Sequence, residues 1–166
     1  MGDSITIIPF WFRMRIFIAG IMQGSHLEAT MHSQDYRARF KQSLLRHWPD
    51  AAVYDPLADH TDSLDYTPTR AREVFLKHNR MCGEVDVVFA FVPEASMGTA
   101  IEIWEAARHG RVVVTISPLE LNWAVRFCSD LVYADFASLE LDLASGSLRR
   151  RIDELRTRKQ VVESAP

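Results

Sequence analysis

The chain has 166 residues, 48% of them hydrophobic and 25% charged, with a formal net charge of −3. That length is enough for one domain with a real core, and the balance is that of a globular protein. The slight negative charge gives no basic surface for a nucleic-acid polymer or an anionic membrane, so neither is expected as a partner.

The apolar opening "MGDSITIIPFWFRMRIFIAG" lacks a basic start and is broken by Arg13 and Arg15. It reads neither as a signal peptide nor as a membrane span. Met14 reads as the start of the domain, with residues 1–13 as an N-terminal extension and 14–162 as a single unit.

Five apolar runs then read as buried strands: "RIFIAG" (15–20), "AAVYDP" (51–56), "DVVFAFVP" (86–93), "RVVVTISP" (111–118) and "DLVYAD" (130–135). Helical patterns separate them. The first carries Tyr36, Phe40, Leu44 and Leu45 on one face, with Ser33 as N-cap and Pro49 beyond its end. The second spans 69–83 with Thr69 as its cap, and the third runs from Ser96–Thr99 to Gly110. A short fourth is "ELNWAVRFC", and the last runs from Ser147 to Val162 with Leu148, Ile152 and Leu155 as its stripe. Cys82 and Cys128 are too few and too isolated for a disulfide framework or a zinc set, and they fit a reducing, cytoplasmic setting.

Strands alternating with helices predict an α/β fold: a five-stranded parallel sheet in a flavodoxin-like or Rossmann-like three-layer sandwich, ordered 2-1-3-4-5. Ligands of such sheets bind beyond the carboxyl ends of the strands, where the strand order reverses. The loops there are "AGIMQGSH", "YDPLADHTDSLDY", "VPEASMGTA" and "SPLELNW".

In the first loop Gly20 and Gly24 allow close backbone approach, and Gln23, Ser25 and His26 supply polar groups; an ordinary tight turn is the other reading. Neither a dinucleotide fingerprint nor a phosphate loop is present. The second loop gathers Asp55, Asp59, His60, Asp62 and Asp65, whose spacing matches no calcium loop. Asp55, closing a strand, is placed to meet a substrate.

Glu102 has two readings. It stands three residues after Thr99, the spacing of a capping box, while Ser96 offers a cap one turn earlier. Ala95, Ser96, Gly98 and Ala100 also leave room beside it for a ligand, and the free N–H groups of a helix start attract an anion such as phosphate. A carboxylate next to that space can attack an electrophilic carbon.

Taken in order, "IFIAG", "VDVVFAFV", "GTAIEIWEA" and "GRVVVTISP" resemble the nucleoside 2-deoxyribosyltransferase-like family, which includes nucleoside 5′-monophosphate N-glycosidases. The resemblance spans residues 15–134 and implies a retaining enzyme that forms a glycosyl-glutamate ester and passes the sugar to water or to another base. It implies Glu102 as nucleophile; Glu105, three residues later beside Trp104, is the second choice, and no metal or cofactor is expected. The family's acid, an Asp, falls on His78 here, with Asn79 beside it; Asp86 orients structure.

Gly20, Ile21 and Gln23 match the sugar-lining loop, and Met22 stands where phosphate-preferring members carry an Arg. Ser96, Gly98 and Thr99 remain for a phosphate, and Glu94 for a 5′-hydroxyl. The family also implies a homodimer or higher homo-oligomer, with Asn122 near a shared site and Arg126, Trp104 and Trp123 near the contact. The alternative reading is a non-catalytic nucleotide-binding module on the same fold.

Overall fold

A computed structural model of the chain describes residues 13–22 and 31–163. Its strands are β1 (Arg15–Gly20), β2 (Ala52–Tyr54), β3 (Val87–Phe91), β4 (Val112–Ile116) and β5 (Leu131–Tyr133). All pair in parallel, in the order β2-β1-β3-β4-β5 expected from the sequence. The helices are α1 (Asp35–His47), α2 (Pro68–Glu84), α3 (Met97–Arg108), α4 (Trp123–Cys128), α5 (Phe136–Ala144) and α6 (Ser147–Glu163).

The pleat divides the central strands between two cores. Ile16, Ile18, Val87, Phe89, Val112 and Val114 face one way, onto Phe40 and Leu44 of α1, Leu139 of α5, and Leu148 and Ile152 of α6. Phe17, Val88, Ala90 and Val113 face the other, onto Cys82, Ile103, Ala106 and Val125 of α2, α3 and α4. Burying one such side chain stabilises the fold by about 1.5–3 kcal/mol, so a sheet covered on both faces needs apolar residues at almost every strand position.

Local chemistry shifts several helix ends. The cap of α2 is Thr67 rather than Thr69: its Oγ1 accepts from the Arg70 N–H at 3.3 Å, and Pro68 fills the first helical position, where no N–H is needed. The cap residue of α1 is Gln34, and Ser33 instead accepts from the Asp35 N–H at 3.4 Å. Gly110, at φ 66°, takes the left-handed conformation just beyond the end of α3.

Helix α5 has no counterpart among the expected elements. Leu139, Leu141 and Leu143 alternate with acidic residues in the period of a strand. The Asp135 carboxylate nevertheless accepts from the Ser138 N–H at 2.8 Å and starts a helix. That helix buries Phe136, Leu139 and Leu143 and leaves Leu141 74% exposed. Among the described residues, no helix is long and apolar enough to cross a membrane.

At the amino ends of the strands, Asp86 fastens three elements. Its Oδ2 accepts from the Arg15 backbone N–H at 2.7 Å, and its Oδ1 from Arg156 Nη2 of α6 at 3.1 Å. Replacing it, Asp86→Ala, is expected to lower unfolding free energy by about 1–2 kcal/mol in urea denaturation, through the orphaned N–H and guanidinium. Ligand binding at the opposite end of the sheet should be unchanged.

Candidate active site

The strand order reverses between β1 and β3, and a cavity of about 540 Å3 opens beyond their carboxyl ends. That volume suits a small organic ligand. Gly20 closes β1 at its floor, where an added Cβ would meet the Tyr36 hydroxyl at 2.6 Å. Tyr36 donates to the Ile21 carbonyl at 3.1 Å, and its ring stacks on Phe91 with centroids 4.7 Å apart.

Helix α3 forms one wall. Its N-cap is Ser96, whose Oγ accepts from the Thr99 N–H at 3.4 Å and lies 3.0 Å from Thr99 Oγ1. Glu102 is therefore the sixth residue after the cap, beyond the reach of a capping box. Its carboxylate lines the cavity, and Oε2 is buried with no hydrogen-bond partner among the described residues.

Desolvation pushes the Glu102 carboxyl up to about 7, against the Arg37 guanidinium and a hydrogen bond from the Gly20 N–H. Arg37 is itself only 2% exposed, and donates to the carbonyls of Ile18 at 2.8 Å and Gly20 at 3.2 Å.

Helix α2 forms the facing wall. Ala71, Val74, Phe75, His78 and Asn79 all line the cavity, at the spacing of one helical face. His78 Nε2 lies 3.2 Å from the Tyr54 hydroxyl, and its ring stands against His60 with centroids 5.1 Å apart. Desolvation, then the charges of His60, Lys77 and Arg37, push His78 down to about 4, with Asp59 opposing. The two walls touch closely at their far ends. Gly83 of α2 has no room for a Cβ, which would meet His109 Nδ1 at 2.7 Å, and its carbonyl accepts from Arg111 Nε at 2.8 Å.

No protein-family model and no curated protein matches the sequence. Among solved structures, a 2-deoxyribosyltransferase from the psychrotolerant bacterium Bacillus psychrosaccharolyticus aligns with a TM-score of 0.58 and 16% identity, over 76% of this chain and 90% of that one. The chain shares that enzyme's fold. A CMP N-glycosidase of Clostridium botulinum aligns at 0.46 with 18% identity, over 78% of this chain and 98% of that one. A conserved protein from Enterococcus faecalis aligns at 0.49 with 16% identity, over 88% and 99%. Those two scores are too low to argue from, and identities of this size speak for the fold alone.

Of the residues singled out in the sequence, Gly20, His78, Asn79, Ser96, Gly98, Thr99 and Glu102 meet at this cavity. Gln23 and Gly24 lie outside the described residues. Ile21 is buried off the cavity wall, its carbonyl accepting from Tyr36 and Gln34.

Other expectations need correction. Asp55 is not on the cavity wall: its carboxylate accepts from the Leu57 N–H at 3.1 Å and from Arg37 at 3.4 Å. Glu94 lies off the wall too, paired with His32 at 3.0 Å. Asn122 caps its own helix α4, accepting from the N–H groups of Ala124 and Val125. Glu105 grips Arg108 through two bonds of 2.7 and 2.6 Å, away from the cavity. His78, at about 4, is neutral at pH 7 and lacks the imidazolium that an acid role requires.

His60, Leu64, Tyr66 and Phe75 were missed as wall residues, and the 71-74-75-78-79 stripe was the signal that could have found Phe75.

The two shifted groups pull stability in opposite directions with pH. Folded Glu102 keeps a proton between about pH 4.5 and 7 that the unfolded chain releases, so stability falls as pH rises there. Folded His78 refuses a proton between about pH 4 and 6.5 that the unfolded chain binds, so stability rises with pH there. Glu102→Gln should leave only the rising slope, and gain on the order of 2–3 kcal/mol over wild type above pH 7. His78→Gln should leave only the falling one. Thermal denaturation from pH 4 to 8 checks both, and parallel curves for the three proteins would refute the assignment.

Proposed function

We propose that the chain belongs to the nucleoside deoxyribosyltransferase-like family and cleaves the N-glycosidic bond of a nucleoside or nucleoside 5′-monophosphate. The observation that carries this reading is Glu102: a carboxylate on the cavity wall at the strand-order reversal, outside any cap, with one buried oxygen that no described residue engages.

In the proposed reaction Glu102 Oε2 bonds to C1′ as the C1′–N bond breaks, and the electron pair leaves with the base. The departing nitrogen takes its proton from water, because His78 stays neutral. Water or a second base then attacks C1′ on the other side, the ester C–O bond breaks, and the carboxylate returns. Met97 and Gly98, just after the Ser96 cap, offer free N–H groups for the 5′-hydroxyl or phosphate. A neutral His78 is also the observation that favours the rival reading, a module that binds a nucleotide without turnover.

A second copy of the chain is the proposed partner. Met97, Ile101 and Trp104 of α3, with Leu121, Trp123 and Phe127 at α4, expose large apolar side chains. Asn122 sits among them, and Met97 also lines the cavity. Light scattering should give a dimer or larger, and a monomer mass at micromolar concentration would overturn this. Cys82 and Cys128 are free, which supports a reducing, cytoplasmic setting.

Incubation with pooled nucleosides and 5′-monophosphates should release free base, and acid quenching should trap a sugar on Glu102. Release should rise with pH through about 7 as Glu102 ionises. Glu102→Gln should lose about a thousandfold or more in rate, the scale of a removed nucleophile. Bound nucleotide with neither release nor adduct would leave the binding module.

A further inference from the structure

Besides Glu102, two polar atoms on the cavity wall are buried without a partner among the described residues: Asn79 Oδ1 and His60 Nε2. Both side chains are more than nine-tenths buried, Asn79 at 9% exposed and His60 at 6%. Leaving such groups unpaired costs about 1–3 kcal/mol each, so two on one wall imply something that pairs them.

Both atoms are acceptors, and the surrounding network says so. Asn79 Nδ2 donates to the Phe75 carbonyl at 2.9 Å, and a carbonyl can only accept. The amide nitrogen is fixed toward the helix, and Oδ1 is left for the cavity. His60 Nδ1 lies 2.8 Å from the Tyr66 hydroxyl, whose proton is held more tightly by desolvation and by the nearby Asp62 carboxylate, with Arg70 opposing. The carboxylate can only accept, which favours a Tyr66 proton turned toward Asp62 and a Tyr66 oxygen that accepts from His60 Nδ1–H. In the neutral ring, Nε2 is then a bare lone pair. Beside these acceptors Leu64 and Phe75, 43% and 46% exposed, supply apolar surface on the same cavity.

We infer that this wall binds the base, and that His60 Nε2 and Asn79 Oδ1 select a base with an exocyclic amino group, of the cytosine or adenine type, over its oxo counterpart. The inference rests on the proposed function, since it takes the ligand to be a nucleoside. A flat ring packs on Leu64 and Phe75, and the two N–H bonds of one amino group answer two acceptors. Uracil or hypoxanthine would turn a carbonyl oxygen to the same place, setting acceptor against acceptor. Sites built on hydrogen bonds reject such analogues strongly, because buried groups are then left unpaired.

The test compares kcat/KM for base release from cytidine with uridine, and from adenosine with inosine, each also as the 5′-monophosphate, at pH 8. At least one amino member should exceed its oxo counterpart by about tenfold or more. Asn79→Leu, which keeps the shape and removes the acceptor, should bring that ratio toward one by lowering kcat/KM for the amino substrate. Equal rates within both pairs, or a preference for the oxo members, would overturn the inference and leave the glycosidase reading standing.

Free bases give a readout independent of turnover. Cytosine or adenine should raise the melting temperature of wild-type protein more than uracil or hypoxanthine does, and equal shifts would count against the inference. Selective shifts with no release from any nucleoside would sustain the base wall and sink the glycosidase. Where Asn79→Leu does not fold, the wild-type ratios and shifts decide.

Discussion

A buried guanidinium organises the end of the sheet where the cavity opens. Arg37 has almost no contact with solvent, and its donors reach the carbonyls at the end of β1, the Gln34 side chain and Asp55. A buried charge is stable only when its donors are met, and this one is met chiefly by backbone that would otherwise end a strand unpaired. The turn at Gly20 is held in place by it, and so is the N–H that reaches Glu102. The same charge limits how far desolvation can raise the Glu102 carboxyl. Strand end, floor and the Glu102 carboxyl are therefore tied to one side chain.

Around that anchor the cavity combines a dry environment with specific polar atoms. Desolvation acts on Glu102 and His78 in opposite senses because each loses its charged form: the acid holds its proton and the base gives its proton up. Tyr36 follows the same rule, burial keeping it protonated so that it can donate to Ile21. His78 and Tyr36 are thus neutral near pH 7, and Glu102 is only partly ionised. A neutral, hydrogen-bonding wall suits an uncharged heterocycle better than a polyanion.

The sheet was legible in the sequence because strands buried on both faces must be continuous runs of apolar residues, and Phe17, Phe89 and Val113 show why. The start of α3 was legible too, since Ser96 and the small residues after it are cap and space at once. Helix α5 was not, because an alternating leucine pattern and a good N-cap point to different structures and the cap prevailed.

Among site residues, position at a strand end was a poor guide to direction. Asp55 and Glu94 both follow strands, yet each turns to a basic side chain that no local pattern reveals, Arg37 for one and His32 for the other. His60 and Asn79 were obscure for a related reason. Their free atoms are defined by what Tyr66 and the Phe75 carbonyl already occupy, and those partners lie several residues away.

The close approach of α2 and α3 at Gly83 bears on how the cavity can move. One helix carries Asn79 and the other Glu102, and they meet where the His109 ring packs directly against Gly83, with Arg111 bonded to the Gly83 carbonyl. Two walls locked in this way behave as a single jaw. Adjustment to a larger or smaller ligand falls to the opposing segment between β2 and α2, residues 55–67, which contains only one short helical turn and supplies Pro56, His60, Leu64 and Tyr66. The spacing between Glu102 and Asn79 is then a constant of the fold, while the reach of His60 depends on the state of a loop.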